Sequence, residues 1–103
     1  MVYYSPLARK DLSNIFSGLL LWPKHPLEPK HAKQYVRDIE KSCSILDGKI
    51  YHQKSSYNFH KLYGEYVHLY KRNRNTCWYI VYNLDLFGDV FVERIMNNYM
   101  TIA

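Results

Sequence analysis

Residues 49–74 hold Lys49, Lys54, Lys61, Lys71, Arg72 and Arg74 against the single carboxylate of Glu65. Tyr51, Tyr57, Tyr63, Tyr66 and Tyr70 are interleaved with them, as are His52, His60 and His68. Cations set among aromatic rings suit a polyanion with stackable bases, because the cations neutralise phosphates while the rings cover base faces. The same side-chain types act as general acids and bases on RNA. That chemistry needs only a few Lys, Arg, His or Tyr groups converging on one face of a sheet and no local motif. His68 and Tyr70 share a strand face by the period of two. An acidic protein partner fits the same surface, and so does the plainer role of a solvated face. Lys71, Arg72 and Arg74 fall on a turn, where basic residues are commonly just solvated but where a protruding tip also meets partners.

Other chemistries are poorly served. The four glycines are not clustered as a phosphate-cradling loop requires. His52, His60 and His68 recur every eight residues and His25 and His31 flank a proline-rich turn, neither of which is metal-ligand spacing, so no metal and no cofactor is expected. Nothing resembles the strained glycine-flanked elbow of a serine hydrolase. Cys43 and Cys77 are far apart with no CxxC, and no disulfide is expected.

The elements that must position these groups follow from pattern. The 103 residues leave room for one domain, 1–103, and 48% apolar with 22% charged residues is the balance of a globular chain with a core. The net charge of +5 is local: segments 1–48, 49–74 and 75–103 carry +2, +5 and −2. No apolar run nears the roughly 18 residues of a membrane span. The opening Met1-Val2-Tyr3-Tyr4 has neither the basic nor the apolar region of a secretory signal, which predicts a cytoplasmic protein.

Ser5-Pro6 reads as a helix start, Ser as the cap and Pro at the first position, where its missing N–H costs nothing. Ala8, Leu12, Ile15, Phe16 and Leu19 then form one apolar stripe on a helix ending near Trp22-Pro23. Three prolines within 23–29 make the turn, and Ala32, Tyr35, Val36, Ile39, Cys43 and Leu46 form the stripe of a second helix stopped by Asp47-Gly48. From Tyr57 the period becomes extended. Tyr66–Tyr70, Thr76–Tyr82 and Val90–Met96 read as strands joined by turns at 72–75 and 85–89, the middle one buried on both faces, and Val2-Tyr3-Tyr4 as a short first strand. The expected architecture is α+β, with a helical hairpin packed on one face of a mainly antiparallel sheet of three to four strands.

Three stretches carry a family resemblance. Tyr4-Ser5-Pro6-Leu7-Ala8-Arg9-Lys10-Asp11-Leu12-Ser13-Asn14-Ile15 resembles the Y-S-x-x-A-x-x-D-L-x-x-I opening of RelE/ParE-superfamily toxins of bacterial type II toxin–antitoxin (plasmid-stabilisation) modules. Ala32 through Leu46 is similar to that family's second helix. Tyr79-Ile80-Val81-Tyr82 followed by Val90-Phe91-Val92-Glu93-Arg94-Ile95 is similar to its closing strand pair.

The resemblance implies a RelE/ParE-like fold and a toxin that inhibits growth. RelE-type members are ribosome-dependent mRNA endonucleases (mRNA interferases) that use sheet arginines. This chain has Tyr79 at one such position and Asn97-Asn98 at another. The ending Arg94-Ile95-Met96-Asn97-Asn98-Tyr99-Met100 is more similar to the R-I-L-H-x-x-M-D of ParE-type toxins, which act on DNA gyrase and are not known as enzymes. The expectation is therefore a non-enzymatic gyrase inhibitor, with Arg94, Asn97, Asn98, Tyr99, Arg72 and Arg74 as target-binding residues. The alternative is a ribonuclease acting on ribosome-bound mRNA through Lys54, Lys61, Arg72 and Tyr99. An ordinary ion pair would account for Arg94 equally, and chain-end packing for Tyr99. The resemblance also implies a cognate antitoxin, acidic to match the +5 chain, with which an oligomer can form.

Overall fold

The computed structural model describes residues 1–97. The element order is β1 (Val2–Tyr4), α1 (Pro6–Leu20), α2 (Pro29–Ser44), a short α3 (Asn58–Lys61), β2 (Tyr66–Lys71), β3 (Cys77–Leu84) and β4 (Val90–Asn97). At the head of α1 the Ser5 hydroxyl oxygen accepts the Ala8 N–H at 3.0 Å, and Pro6 occupies the first turn. The proline-rich stretch turns the chain into α2. Beyond that helix Gly48 takes a φ of +79°, a conformation a side chain disfavours.

The four strands form one mixed sheet in the order β1-β4-β3-β2. β1 runs parallel to β4 with Val2 opposite Val90, and the other pairs are antiparallel. The expected α+β architecture, with its short first strand and a helical hairpin against the sheet, is the one observed. Extended structure from Tyr57 is not. Residues 58–61 form a helical turn that drops His60 and Phe59 onto the sheet, tertiary burial overriding a short polar stretch with no strong propensity.

Period two sorts the sheet's side chains into two layers. Trp78, Ile80, Tyr82, Val90, Val92 and Ile95 pack beneath α1 and α2 on Ala8, Ile15, Ile39, Cys43 and Leu46. Val67, Val81 and Met96 point the other way, beneath Phe59, Tyr63 and Tyr79. One irregularity matters. Val81 pairs with Arg94 and Tyr82 with Val92, so Glu93 is an extra residue, a bulge in β4. Without it the alternation that puts Val92 on the helix side would send Ile95 away from it.

The outer edge of β2 is partly covered. Lys54 bridges Tyr66, the Ser55 N–H donates to Glu65 O at 2.8 Å, and the Val67 N–H donates to Gln53 O at 2.9 Å. Gly64 sits where this strap crosses β3. A Cβ there would lie 2.8 Å from both Tyr82 O and Val81 Cγ1. Gly64→Ala is therefore expected to destabilise the protein by about 1–3 kcal/mol through overpacking against backbone. Urea unfolding would measure it, and an unchanged midpoint would show that the strap can lift at no cost.

Candidate functional site

The candidate residues separate into two places at opposite ends of β3. Near its end, Lys54, Ser55, Lys61, Tyr63, Glu65 and Asn83 line an open cleft of about 480 Å³ on the face away from α1 and α2. Asn83 braces it. Its carbonyl oxygen accepts the Glu65 N–H at 2.9 Å, and its amide nitrogen donates to Tyr63 O and Glu93 Oε2, both at 3.4 Å. Ser55 ties the rim by donating to Gly64 O at 3.0 Å. Lys54 Nζ stands 3.8 Å from Glu65 Oε1 with 75% of its side chain exposed, a contact worth little, so both ammonium groups face solvent. Two such cations over an amide-lined floor make a weak site for a phosphate or carboxylate.

Arg72 is not part of that cleft. It lies at the start of β3, where it donates to the Asp38 carboxylate and, at 3.0 Å, to the Tyr70 hydroxyl, with its guanidinium carbon 4.3 Å over the Tyr35 ring. The Arg72 hydrogen bond, then that of Gln34, holds the Asp38 carboxyl below its ordinary pKa. Arg74 is exposed on the adjoining turn. There Asn73 Oδ1 accepts the Asn75 and Thr76 N–H groups at 2.9 and 3.0 Å. Asn97 pairs with Trp78 in the ladder, so Arg72, Arg74 and Asn97 share one end of the sheet.

At the same end an apolar pocket of about 250 Å³ opens between α1, α2 and the sheet. Ile15, Gly18, Leu19, Trp22, Tyr35 and Trp78 form its walls, with Asn14, Thr76 and Asn97 at its polar margin. The Trp78 indole N–H donates to the Tyr35 hydroxyl at 3.0 Å and fixes two of those walls.

Arg94 is used internally. Its Nε and Nη2 donate to the two Asp11 oxygens at 2.8 and 3.1 Å, and Asp11 also accepts the Ile95 N–H at 2.9 Å. The guanidinium lies 4.8 Å over the Tyr63 ring, and only 17% of the side chain is exposed. Asn98 and Tyr99, named above as target-binding candidates, lie outside the described residues.

The interleaved aromatics do not make one stacking platform. Tyr66, Tyr70 and Tyr82 turn under the helices, where His52 Nδ1 and the Tyr82 hydroxyl share a 2.6 Å hydrogen bond, and burial pushes the Tyr82 phenol up to about 12. His68 shares that face and meets Ser42 Oγ at 3.2 Å. Its pKa is lowered by burial and then by the charge of Lys49. His60 is fully buried among Tyr57, Phe59 and Tyr79, and neither ring nitrogen has a hydrogen-bond partner. Burial lowers its pKa.

Asn83, the brace of the cleft, and His60, sealed in a ring of aromatics, were not distinguishable by sequence pattern. Asp11 stood in the opening motif, but its partner is 83 residues away in sequence. Among the described residues no three His, Cys, Asp or Glu side chains converge as a metal site requires, and Cys43 and Cys77 are not joined in a disulfide. No described helix is long and apolar enough to cross a membrane.

Fold and site together define an α+β protein with a four-strand mixed sheet, a basic turn beside an apolar pocket at one end and a two-lysine cleft at the other. Compared with known proteins, the chain matches no protein-family model and no curated sequence.

Proposed function

We propose that this chain is the toxin of a bacterial type II toxin–antitoxin module, RelE/ParE-like and nearer the ParE branch. In this reading it acts in the cytoplasm by binding DNA gyrase and is neutralised by a cognate acidic antitoxin. The observation that supports it is a meeting of two of the family-like stretches, the opening and the closing one. Of the opening motif, Ser5 caps α1, Ala8 and Ile15 are buried, and Asp11 grips Arg94 of the closing motif in a two-point ion pair. Both stretches thus serve one joint between α1 and β4. Arg94 acts there as a positioning residue, and the end carrying Arg72, Arg74 and Asn97 is the gyrase-contact surface.

The antitoxin is placed along the outer seam of the helical hairpin. Leu12, Phe16 and Val36 form an apolar groove there, flanked by Lys33 and Arg37 against the single carboxylate of Glu40. An acidic, apolar segment is steered by those cations and held by burial, so its binding weakens as salt rises. The second reading, cleavage of ribosome-bound mRNA, is favoured by one observation: Lys54 and Lys61 do share a cleft.

Pulse labelling of DNA and protein synthesis in bacteria, in the first minutes after induction of the chain, separates the readings. An early fall in DNA synthesis is expected, unchanged in the Lys54→Ala/Lys61→Ala variant and lost on Arg72→Ala/Arg74→Ala. A prior fall in protein synthesis that the lysine variant abolishes would move the function to the cleft, and no fall in either would remove the toxin reading.

A further inference from the structure

The turn between β3 and β4 presents two large apolar side chains to water. Leu86 is 100% and Phe87 91% exposed, at a place where a hairpin tip is ordinarily polar. The turn is also tightly built. Asp85 Oδ1 accepts the N–H groups of Phe87 and Asp89 at 2.8 and 2.9 Å, the Gly88 N–H donates to Asp85 O at 3.1 Å, and Gly88 takes a φ of +84°. The two apolar side chains therefore stand on a preorganised support, which lowers the entropy lost when they are captured.

The opposite end of the same sheet carries the complementary shape. The apolar pocket walled by Trp22, Trp78, Tyr35, Ile15 and Leu19 is large enough, at about 250 Å³, for a bulky side chain. Trp22 is left 53% exposed at its mouth. Gly18 widens it: a Cβ there would meet nothing within 4 Å, although a mid-helix glycine costs about 1 kcal/mol relative to alanine. Charge follows shape. Asp85 and Asp89 flank the projecting tip, even with the Met1 ammonium 2.7 Å from Asp89, while at the pocket's end of the sheet Lys71 closes β2 and Arg74 is exposed on the turn that follows, next to Arg72 with its Asp38 partner.

We propose that the chain associates head to tail with itself, the Leu86-Phe87 tip of one copy entering the Trp22–Trp78 pocket of the next. A single copy cannot satisfy both halves, because the tip and the pocket lie at opposite ends of β3. The contact is heterologous, so it extends into a ring or an open chain rather than closing as a two-fold dimer. It is small, so it belongs with the weak, transient contacts below the standard interface size. The inference does not rest on the toxin reading.

Sedimentation velocity on the purified full chain from about 10 µM to 1 mM tests it. The wild type is expected to form larger species as concentration rises. Leu86→Ser/Phe87→Ser removes the tip, and Gly18→Leu fills the pocket. Neither disturbs the core, since the first pair is solvated and the second gains helix propensity, which circular dichroism would check. Each variant alone is expected to lose association at least about tenfold, the effect of withdrawing one buried apolar side chain. Mixed together, they are expected to form a one-to-one dimer and nothing larger, because one retains a pocket and the other a tip.

A wild type that stays monomeric at 1 mM overturns the proposal and leaves the tip for an apolar pocket on a different protein. Association that survives either variant, or a mixture that yields no dimer, overturns the pairing of this tip with this pocket.

Discussion

Asp11→Ala is expected to cost about 3–5 kcal/mol of folding stability, the range for removing one partner of a buried ion pair. Asp11 is only 7% exposed and serves three donors at once, the Nε and Nη2 of Arg94 and the main-chain N–H of Ile95. The last of these matters most to the fold. β1 ends at Tyr4 opposite Val92, so beyond that point β4 has no strand on this side and Asp11 takes the place of one. Alanine leaves the guanidinium and the N–H together without an acceptor. Urea denaturation at pH 7 would measure the loss. A loss below about 1 kcal/mol would mean that water reaches both groups, contrary to their burial. Arg94→Met leaves Asp11 charged but still holding the Ile95 N–H, and the double change Asp11→Leu/Arg94→Met removes both charges. The double variant is expected to be more stable than Asp11→Ala alone, since a matched apolar pair leaves no buried charge.

His60→Phe is expected to raise stability at pH 7.5 by about 1–3 kcal/mol, the cost of burying polar atoms that find no partner. Both imidazole nitrogens are in that condition, and the surrounding rings of Tyr57, Phe59 and Tyr79 accept another ring readily. The difference between the two proteins should then grow on acidification. Burial lowers the His60 pKa in the folded state, so the unfolded chain takes up a proton first. The stability associated with neutral His60 is complete above the ordinary histidine value of 6.5 and is lost as pH falls from there through the lowered folded value. Denaturation midpoints between pH 7.5 and 5 would fall more steeply for the wild type than for His60→Phe. Parallel curves would show that the ring already reaches solvent.

Elements with strong periodicity were legible before the structure. Ala32, Ile39 and Cys43 of α2, and Leu46 just past its end, are buried as expected, and the uninterrupted apolar run of β3 does lie between two other strands. What pattern could not carry was long-range pairing. Nothing local in Val2-Tyr3-Tyr4 dictates a parallel partner near residue 90, and nothing in Arg94 names Asp11. The site divided for a related reason. Lys54, Lys61 and Arg72 look contiguous along a basic stretch, but β2 runs the length of the sheet and delivers Arg72 to the far end. The tyrosines divided through the period of two, which put Tyr66 and Tyr70 into the core beneath the helices. Leu86 and Phe87 were read simply as part of a turn, because composition alone gives no sign that a turn residue is unburied.

The parallel pairing of β1 with β4 also fixes an order of events during synthesis. Val2 is made 88 residues before its partner Val90, so β1 waits for its strand while everything between them is made. At about 5–20 residues per second that wait lasts roughly 5–20 s. Until β4 is made, the layer beneath α1 and α2 lacks Val90, Val92 and Ile95 and has only the side chains of β2 and β3 to cover the helices. A chain halted shortly before residue 90 would lack β4, the strand that joins β1 to β3, and its opening segment would stay open to proteolysis until translation resumed.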